Sequence, residues 1–331
     1  MIGMKRKILL LLCVAGLAAL ILGGFLITRK MDAVPVQGAG TAQNAVTKKV
    51  TLSYMGTEYP IKKHIQTVLL IGTDSTEQYE EQTEGLRDFY NAHQADFLML
   101  LVLDTDANTA QIIQLNRDTM TDVPWLDVLG MYGGTEFKQL CLAFNYGDGG
   151  GQSCRNTVDA VSRLLFDAPI DSYIQIPITA IPALNDMVGG VPVTIADDLT
   201  GIDPAFVKGT TVRLTGTQAE KFVRARMGLA DDTNVSRMRR QRDYVDSFQK
   251  CAKEAINTDS EFVLKLLEKM GEYLQSNLTG QQLSDLIAQL DQSQIPPIRV
   301  PEGELIEGAQ YYEFYVDEAS LWEITKNAYC E

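Results

Sequence analysis

The sequence predicts an α/β domain with a mixed central β-sheet between helices, preceded by one N-terminal transmembrane helix. Three observations support this prediction. An uncharged apolar run covers residues 8–27 and is flanked by basic residues. Short continuous apolar segments, such as residues 97–103, are typical of strands that are covered on both faces. Amphipathic segments, such as residues 153–166, alternate with them, and this alternation is the pattern of an α/β fold.

The N-terminal apolar run has the length of a membrane anchor. Twenty residues in a helix span about 30 Å, the thickness of the hydrocarbon core. A cleaved signal peptide is the alternative, but its apolar stretch is shorter and no convincing small-x-small cleavage site follows. We therefore expect residues 1–7 in the cytoplasm, residues 8–27 in the cell membrane and the remainder outside. Residues 28–59 are predicted to be an extracytoplasmic linker, and residues 60–331 the folded domain.

The folded domain is predicted to open with three buried strands, at residues 67–71, 97–103 and 110–115. The further predicted strands are residues 173–176, 191–195, 298–301 and 311–316, the last of them a buried closing strand. The predicted helices are residues 153–166, 178–187, 215–223, 235–256, 261–274, 281–290 and 319–328. Thr215 and Gln218 have the spacing of a capping box, and Asp317 is predicted to cap the last helix.

The charge pattern combines an acidic chain with one arginine cluster. The 331 residues carry a net charge of -14, which repels nucleic acid unless basic residues are gathered in one place. The gathered residues are Arg224, Arg226, Arg237, Arg239, Arg240 and Arg242. Such a cluster indicates either a focused anion site or a solvated, salt-bridged helix face, and charge alone favours the second interpretation. We expect no nucleic-acid partner.

Charged side chains follow or precede the three buried strands. Asp74 follows the first strand, Asp96 precedes the second, and Arg117-Asp118 follows the third. Open α/β sheets bind ligands at strand ends, and two neighbouring carboxylates can share Mg²⁺. Asp74 has a simpler alternative role as a local cap. Arginine suits a diphosphate because its planar fork donates to two oxygens at once and stays charged.

Other patterns carry less information. The sequence has no phosphate-loop, zinc-protease or nucleophile-elbow motif. The glycine-rich segment at residues 147–151 is either an anion-binding nest or a connector, and a connector is favoured. Outside the anchor the cysteines are Cys141, Cys154, Cys251 and Cys330. Disulfide bonds and free buried thiols are about equally favoured for them.

The motifs taken in order resemble the LytR-CpsA-Psr family over residues 67–244. The matching segments are G-T-D-S at Asp74, Asp96, N-R-D-T at Arg117, V-G-G-V at residues 188–191, F-V-R-A-R at residues 222–226 and R-x-R-R-Q at residues 237–241. The resemblance implies a mixed sheet between helices and a hydrophobic cleft for a polyprenyl chain. It implies a phosphotransferase that moves teichoic acid or capsular polysaccharide from polyprenyl diphosphate to peptidoglycan, at the membrane.

The same resemblance implies roles for individual residues. Asp74 and Asp96 match the aspartates of a Mg²⁺ site. The residues expected to be catalytic are Asp74, Asp96, Arg117, Arg224 and Arg226. The residues expected around the diphosphate are Arg117, Arg224, Arg226, Arg237 and Gln241, whereas Arg239, Arg240 and Arg242 are expected on the helix surface.

Three positions depart from the family pattern. Gln94 stands where the family usually has arginine, Asn116 where it has proline, and Cys141 where it has asparagine. Arg87, in the preceding loop, is a hypothetical substitute for the missing arginine. The departures indicate a divergent subfamily and leave the contacts with the acceptor unassigned.

Two other functions fit parts of the sequence. A non-catalytic, membrane-anchored protein that binds polyprenyl-diphosphate precursors would need the arginines but not the metal aspartates. A transcriptional attenuator would need a DNA-binding module inside the cell, and residues 1–7 are too few to form one. The transferase is therefore the favoured interpretation.

Overall fold

The computed structural model describes residues 50–74, 93–127, 131–225, 234–259, 261–294, 297–308 and 311–331. The predicted anchor at residues 8–27 and most of the predicted linker lie outside these ranges. Within them, no helix combines the length and the apolarity that a membrane crossing requires.

The elements do not alternate as strictly as the sequence predicts, because in the described part of the chain seven strands come first and helices and strands are mixed after them. The strands are β1 (Thr51–Tyr54), β2 (Thr57–Pro60), β3 (Ile65–Thr73), β4 (Ala95–Asp104), β5 (Thr109–Leu115), β6 (Met120–Leu126), β7 (Tyr132–Gln139), β8 (Ser172–Pro177), β9 (Val191–Thr194), β10 (Thr211–Leu214), β11 (Gln275–Ser276), β12 (Gly303–Glu307) and β13 (Tyr312–Val316). The helices are α1 (Gly151–Leu164), α2 (Ala180–Met187), α3 (Gly216–Arg224), α4 (Asn234–Thr258), α5 (Phe262–Met270), α6 (Gly280–Gln292) and α7 (Glu318–Tyr329), and a 3-10 helix covers Leu140–Phe144.

The central sheet has five strands in the order β11-β8-β3-β4-β5. β3, β4 and β5 form an antiparallel meander, whereas β8 runs parallel to β3. The sheet is therefore mixed, and the predicted fold class is confirmed. β3 and β4 are almost entirely buried, which explains why their sequences are continuously apolar rather than alternating.

Two hydrophobic cores lie on opposite faces of this sheet. Successive side chains of a strand point to opposite faces, so Val68 and Leu70 belong to one core and Leu69 and Ile71 to the other. Helices α2 to α6 cover the first core, and α1 and α7 cover the second. The result is the predicted sheet between two layers of helices.

Local capping fixes several helix starts. The predicted capping box is confirmed, because Thr215 accepts from the backbone of Gln218 and the Gln218 side chain accepts from the backbone of Thr215. Asp317 caps α7 through the backbone N–H of Ser320, also as predicted. Each such cap contributes on the order of 1 kcal/mol.

Three sequence predictions need correction. The folded domain begins before residue 60, because β1 and β2 form a hairpin inside the predicted linker. Residues 298–301 are not a strand, since only Arg299 forms a bridge, to Ile113, and Pro301 has no N–H to donate. The strand near residues 311–316 exists, but β13 pairs with β12 and stays outside the central sheet.

Candidate active site

The site begins at the adjoining ends of β3 and β4. The backbone N–H of Asp74 donates to the carbonyl of Gln94 at 3.2 Å, and the N–H of Gln94 donates to Oδ1 of Asp74 at 2.7 Å. Asp96 lies two residues further along β4. Antiparallel pairing of β3 with β4 therefore places both predicted metal aspartates at the same end of these two strands, around Gln94.

Arg117 joins them through the register of β5. Leu115 pairs with Leu98, and continuing this antiparallel register by two residues brings Arg117 opposite Asp96. Nη1 of Arg117 donates to Oδ1 of Asp96. The predicted meeting of three charged strand ends is thus present in the structure.

Helix α4 supplies a second arginine to the same carboxylate. Nη1 of Arg237 donates to Oδ2 of Asp96 at 3.1 Å, and the Arg237 side chain is only 2% exposed. Asn234 and Gln241 lie three positions before and four after Arg237, so the three side chains share one helix face. Asp96 is therefore held between two arginines from different parts of the chain.

Burial shapes the electrostatics of the site. Burial raises the pKa of Asp74 above its ordinary value, although the N–H of Gln94 and the charge of Arg117 oppose the shift. For Arg117, burial disfavours the charged form, but its contacts with Cys141 and Asp118 outweigh that effect and raise its pKa. Arg117 therefore stays cationic, and Asp74 is a stronger base than an exposed aspartate.

The other residues predicted for the site differ in their exposure and in their partners. Arg224 ends α3, is about half exposed and pairs with Glu220 at 2.9 Å, but its charge still acts on the Asp74 carboxylate. Gln241 is buried, and its Oε1 has no hydrogen-bond partner among the described residues. Arg226 and Arg87 lie outside the described residues.

An apolar cavity of about 180 Å³ opens beside the charged cluster. Asp96 and Gln241 stand on its wall, and the other lining residues are mostly aliphatic or aromatic, such as Ile176, Val223 and Phe248. Strands β3, β4 and β8 line it together with α2, α3 and α4. A charged site and an apolar cavity are thus continuous.

The three residues that depart from the family pattern contact Arg117 or the nearby Asn234. Nη2 of Arg117 donates to Oε1 of Gln94 and to Sγ of Cys141, the latter at 3.0 Å. Asn116 Oδ1 accepts from Nδ2 of Asn234 at 2.5 Å. Gln94, Asn116 and Cys141 therefore belong to the site rather than to its periphery.

Two of the three arginines that were expected on the helix surface form contacts with neighbouring elements in the structure. Arg240 is buried rather than on the helix surface, and its Nη2 donates to the carbonyl of Ala225 at the end of α3. Arg242 reaches Oε1 of Gln114 on β5 at 2.6 Å. Arg239 is about half exposed, as expected, and pairs with Asp197. The arginine cluster therefore also ties α4 to its neighbours.

In the glycine-rich segment at residues 147–151, the side-chain carboxylate of Asp148 takes the place that a bound anion would have. Oδ1 of Asp148 accepts from the backbone N–H groups of Gly150, Gln152 and Ser153. This carboxylate occupies the N-terminus of α1 in the way that an external anion would. The segment is thus a self-capped connector, which was the favoured interpretation.

The donor set fits Mg²⁺ only with help from a substrate. No group of three metal-binding acidic, histidine or cysteine side chains occurs in the described part of the chain. Mg²⁺ is usually held by one or two carboxylates together with waters and substrate phosphates. Asp74 and Asp96, at neighbouring strand ends, are the carboxylates that would hold the ion, and Oδ1 of Asp74 and both oxygens of Asp96 each have a second lone pair beyond the hydrogen bond that they accept.

The sequence analysis assigned no individual role to some contributors. Asp118 is buried, and its Oδ1 lies 3.3 Å from Nε of Arg117. Nδ1 of His93 lies 3.2 Å from the carbonyl oxygen of Asp74. Asn234 accepts from Nη2 of Arg237. Only the adjacency of Asp118 to Arg117 and the i, i+3 spacing of Asn234 and Arg237 could have signalled them.

Comparison with known proteins agrees with this architecture. Residues 32–328 match the model of the LytR_cpsA_psr family, so the chain belongs to that family. One relative, the polyisoprenyl-teichoic acid--peptidoglycan teichoic acid transferase TagU of Bacillus cereus (strain AH820), is 27% identical over 192 residues, which cover 58% of this chain and 57% of the relative. The match therefore spans little more than half of that protein. TagU of Bacillus subtilis (strain 168) is 26% identical over 272 residues, covering 80% of this chain and 77% of the relative.

The fold is also shared with a solved structure, TagT bound to LIIa-WTA. The TM-score is 0.56 at 22% sequence identity, and the match covers 82% of this chain and 92% of that chain. At this level of identity the likeness concerns the fold alone.

Proposed function

We propose that this chain is a transferase that moves a glycopolymer from a polyprenyl diphosphate carrier to peptidoglycan. The observation that carries the proposal is the continuity between the Asp96 cluster and the apolar cavity. A polyprenyl diphosphate has a long apolar chain joined to a strongly anionic head. An apolar cavity whose wall includes Asp96, with Arg117 and Arg237 bound to that carboxylate, offers both an apolar and a cationic region. The teichoic acid transferases among its relatives support this choice of glycopolymer.

The reaction would be a phosphoryl transfer. A hydroxyl of the acceptor attacks the phosphorus that carries the glycan, and the bond from that phosphorus to the bridging oxygen of the diphosphate breaks. The polyprenyl monophosphate leaves with the electron pair, and the hydroxyl proton passes to a carboxylate. Asp74 or Asp96 would orient the hydroxyl or accept its proton; without a bound metal, burial raises the pKa of Asp74 and makes it a better proton acceptor than an exposed aspartate.

The arginines stabilise the charge that collects on the leaving phosphate. Arg117 and Arg237 are buried and preorganised by Asp96, so no reorganisation is needed when charge develops. Arg224 is more exposed and would turn from Glu220 toward the head group. Gln241 would direct its buried amide to the same group. Arg226 keeps its proposed role on the strength of the sequence motif.

Charge balance favours a divalent cation in the proposed reaction. In the described site, the three carboxylates of Asp74, Asp96 and Asp118 are matched by the three guanidinium groups of Arg117, Arg224 and Arg237. A diphosphate would add further negative charge to a site that is not cationic overall. Mg²⁺ held by Asp74 and Asp96 would offset that charge and polarise the phosphoryl oxygens.

The proposed location is the outer face of the cell membrane, with residues 8–27 as the anchor. Peptidoglycan, the proposed acceptor, is outside the cell. The anchor would keep the cavity close to the bilayer that holds the lipid-linked donor.

The test uses the full chain in detergent with a polyprenyl-diphosphate-linked glycan, Mg²⁺ and peptidoglycan. We expect glycan attached to peptidoglycan and release of polyprenyl monophosphate. Asp74→Asn should lower the rate by at least about 100-fold, whereas exposed Asp106→Asn should leave it unchanged. Asp74 is a better target than Asp96, because Asp96→Asn would also leave two buried arginines without their carboxylate. Absence of turnover in the wild type would contradict the proposal, whether or not the donor binds.

A further inference from the structure

Hydrogen bonds hold the guanidinium group of Arg117 at both terminal nitrogens, whereas its Nε has an ion-pair contact but no hydrogen bond among the described residues. Nη1 contacts Asp96, and Nε lies 3.3 Å from Oδ1 of Asp118. Nη2 has two uncharged acceptors, Oε1 of Gln94 and Sγ of Cys141. One charged hydrogen bond and two neutral ones therefore fix the plane and direction of the group, and Asp118 adds a second negative charge beside it.

We propose that Gln94 and Cys141 form a neutral clamp, which positions Arg117 for a diphosphate without neutralising its charge. The proposal rests on the proposed function for the identity of the anion. Both clamp residues are positioning residues, because they act on the substrate through Arg117.

Neutrality matters because Arg117 already faces two carboxylates. A third carboxylate at Nη2 would attract the guanidinium but would repel an incoming phosphate, and charges act strongly in a buried site. A neutral hydrogen bond contributes orientation without that repulsion. Burial raises the pKa of the Cys141 thiol, so its sulfur remains uncharged at neutral pH and meets the same requirement.

The backbone of each clamp residue holds the site independently of the side chain. The N–H of Gln94 donates to Oδ1 of Asp74 at 2.7 Å, and the N–H of Cys141 donates to the carbonyl of Arg117 at 2.9 Å. Cys141 belongs to the 3-10 helix and is fully buried. Side-chain substitutions therefore remove the contact with the guanidinium while leaving these backbone bonds in place.

The clamp is tested with inorganic pyrophosphate as the probe, by calorimetry on the full chain in detergent, with and without Mg²⁺. Gln94→Glu changes charge at nearly constant shape and should weaken binding by about tenfold or more. Gln94→Met and Cys141→Ala remove one neutral acceptor each and should weaken it by about two- to tenfold. Cys141→Ser restores an acceptor and should recover most of the affinity.

A matched control separates the clamp from packing. Cys154→Ala removes another fully buried thiol, in α1, and should leave pyrophosphate binding unchanged. In an Arg117→Lys background, Gln94→Met and Cys141→Ala should lose most of their effect, because the forked donor is gone. A purely structural role would give the same loss in both backgrounds.

Several outcomes would overturn the clamp. These are wild-type affinity in both Gln94→Glu and Gln94→Met, equal losses in Cys141→Ala and Cys154→Ala, or no pyrophosphate binding by the wild type. The proposed function fails separately, if the wild type binds pyrophosphate with the expected variant pattern but transfers no glycan. In that case the clamp stands and belongs to a binding protein.

Discussion

Arg237 reaches Asp96 from a helix 141 positions later in the chain, and its Nη1 lies 3.1 Å from Oδ2 of that carboxylate. The contact joins α4 to the start of β4, so that Asp96 is bound by both Arg117 and Arg237. Because Arg237 is almost fully buried, the pair has little screening by solvent. Its loss should therefore be visible in stability as well as in function.

Arg237→Ala should lower the free energy of unfolding by about 3 kcal/mol, because it leaves a part-buried carboxylate with one partner. Arg239→Ala is the control, since Arg239 lies on the same helix but is about half exposed. Its surface ion pair contributes at most about 1 kcal/mol. Urea unfolding of residues 50–331 measures both changes, and equal effects of the two variants would contradict this account.

The pKa of Asp74 predicts a pH-dependent stability difference. Burial raises this pKa in the folded protein, so folding favours the neutral carboxyl. The stability contribution is complete below the ordinary aspartate pKa of about 4 and is lost as the pH rises through the higher folded value. Asp74→Asn should therefore unfold at a higher temperature than the wild type at neutral pH, without Mg²⁺. The difference should vanish in acid, and a constant difference at all pH values would show another cause.

The cysteines should all titrate as thiols. In the structure Cys141, Cys154, Cys251 and Cys330 are free and buried. Burial raises the pKa of Cys154 to about 12, and only the thiolate reacts with thiol reagents. For residues 50–331, purified without reductant, we expect slow reaction when native and four thiols when unfolded. Finding two thiols in the unfolded chain would instead show a disulfide.

Much of the fold is predictable because buried strands and helices have characteristic patterns of apolar residues in the sequence. The apolar runs of β3 and β4 and the capping box at Thr215 give correct elements. The β1–β2 and β6–β7 hairpins were missed. β1, β2 and β7 have few buried residues and carry no continuous apolar run, and β6 contains Pro124, which argues against a strand. Strand–strand pairing outside the main sheet depends on partners far along the chain, which local patterns do not contain.

Part of the site was also predictable, because the buried strands show where the strand ends lie. Strand ends that meet at one edge of a sheet can be recognised from sequence, and Asp74, Asp96 and Arg117 were found in this way. The clamp residue Cys141 approaches Arg117 from a 3-10 helix whose position depends on tertiary packing. Arg240 illustrates the opposite error, because an arginine in a charged helix was assigned to solvent but is buried against α3.

The cavity should bind the lipid part of the donor. Ile181, on α2, is partly buried and lines it. Ile181→Trp should fill much of the 180 Å³ and weaken binding of a polyprenyl monophosphate by about tenfold or more. Binding of inorganic pyrophosphate should be unaffected, because the probe has no lipid. If lipid affinity is unchanged in this variant, the chain is held elsewhere.

Mg²⁺ should couple to the anion through Asp74. Without the metal, three carboxylates and three arginines leave the described site with no excess positive charge, so pyrophosphate should bind weakly after chelation. Adding Mg²⁺ should strengthen pyrophosphate binding by about tenfold or more, since an ion held by Asp74 and Asp96 would supply positive charge for the phosphate oxygens. Asp74→Asn should lose this gain while keeping the metal-free affinity, or improving it, because a negative charge is removed near the anion. Asp106→Asn, an exposed control, should behave as the wild type. Calorimetry with and without Mg²⁺ measures each case, and an undiminished gain in Asp74→Asn would exclude this aspartate as a metal ligand.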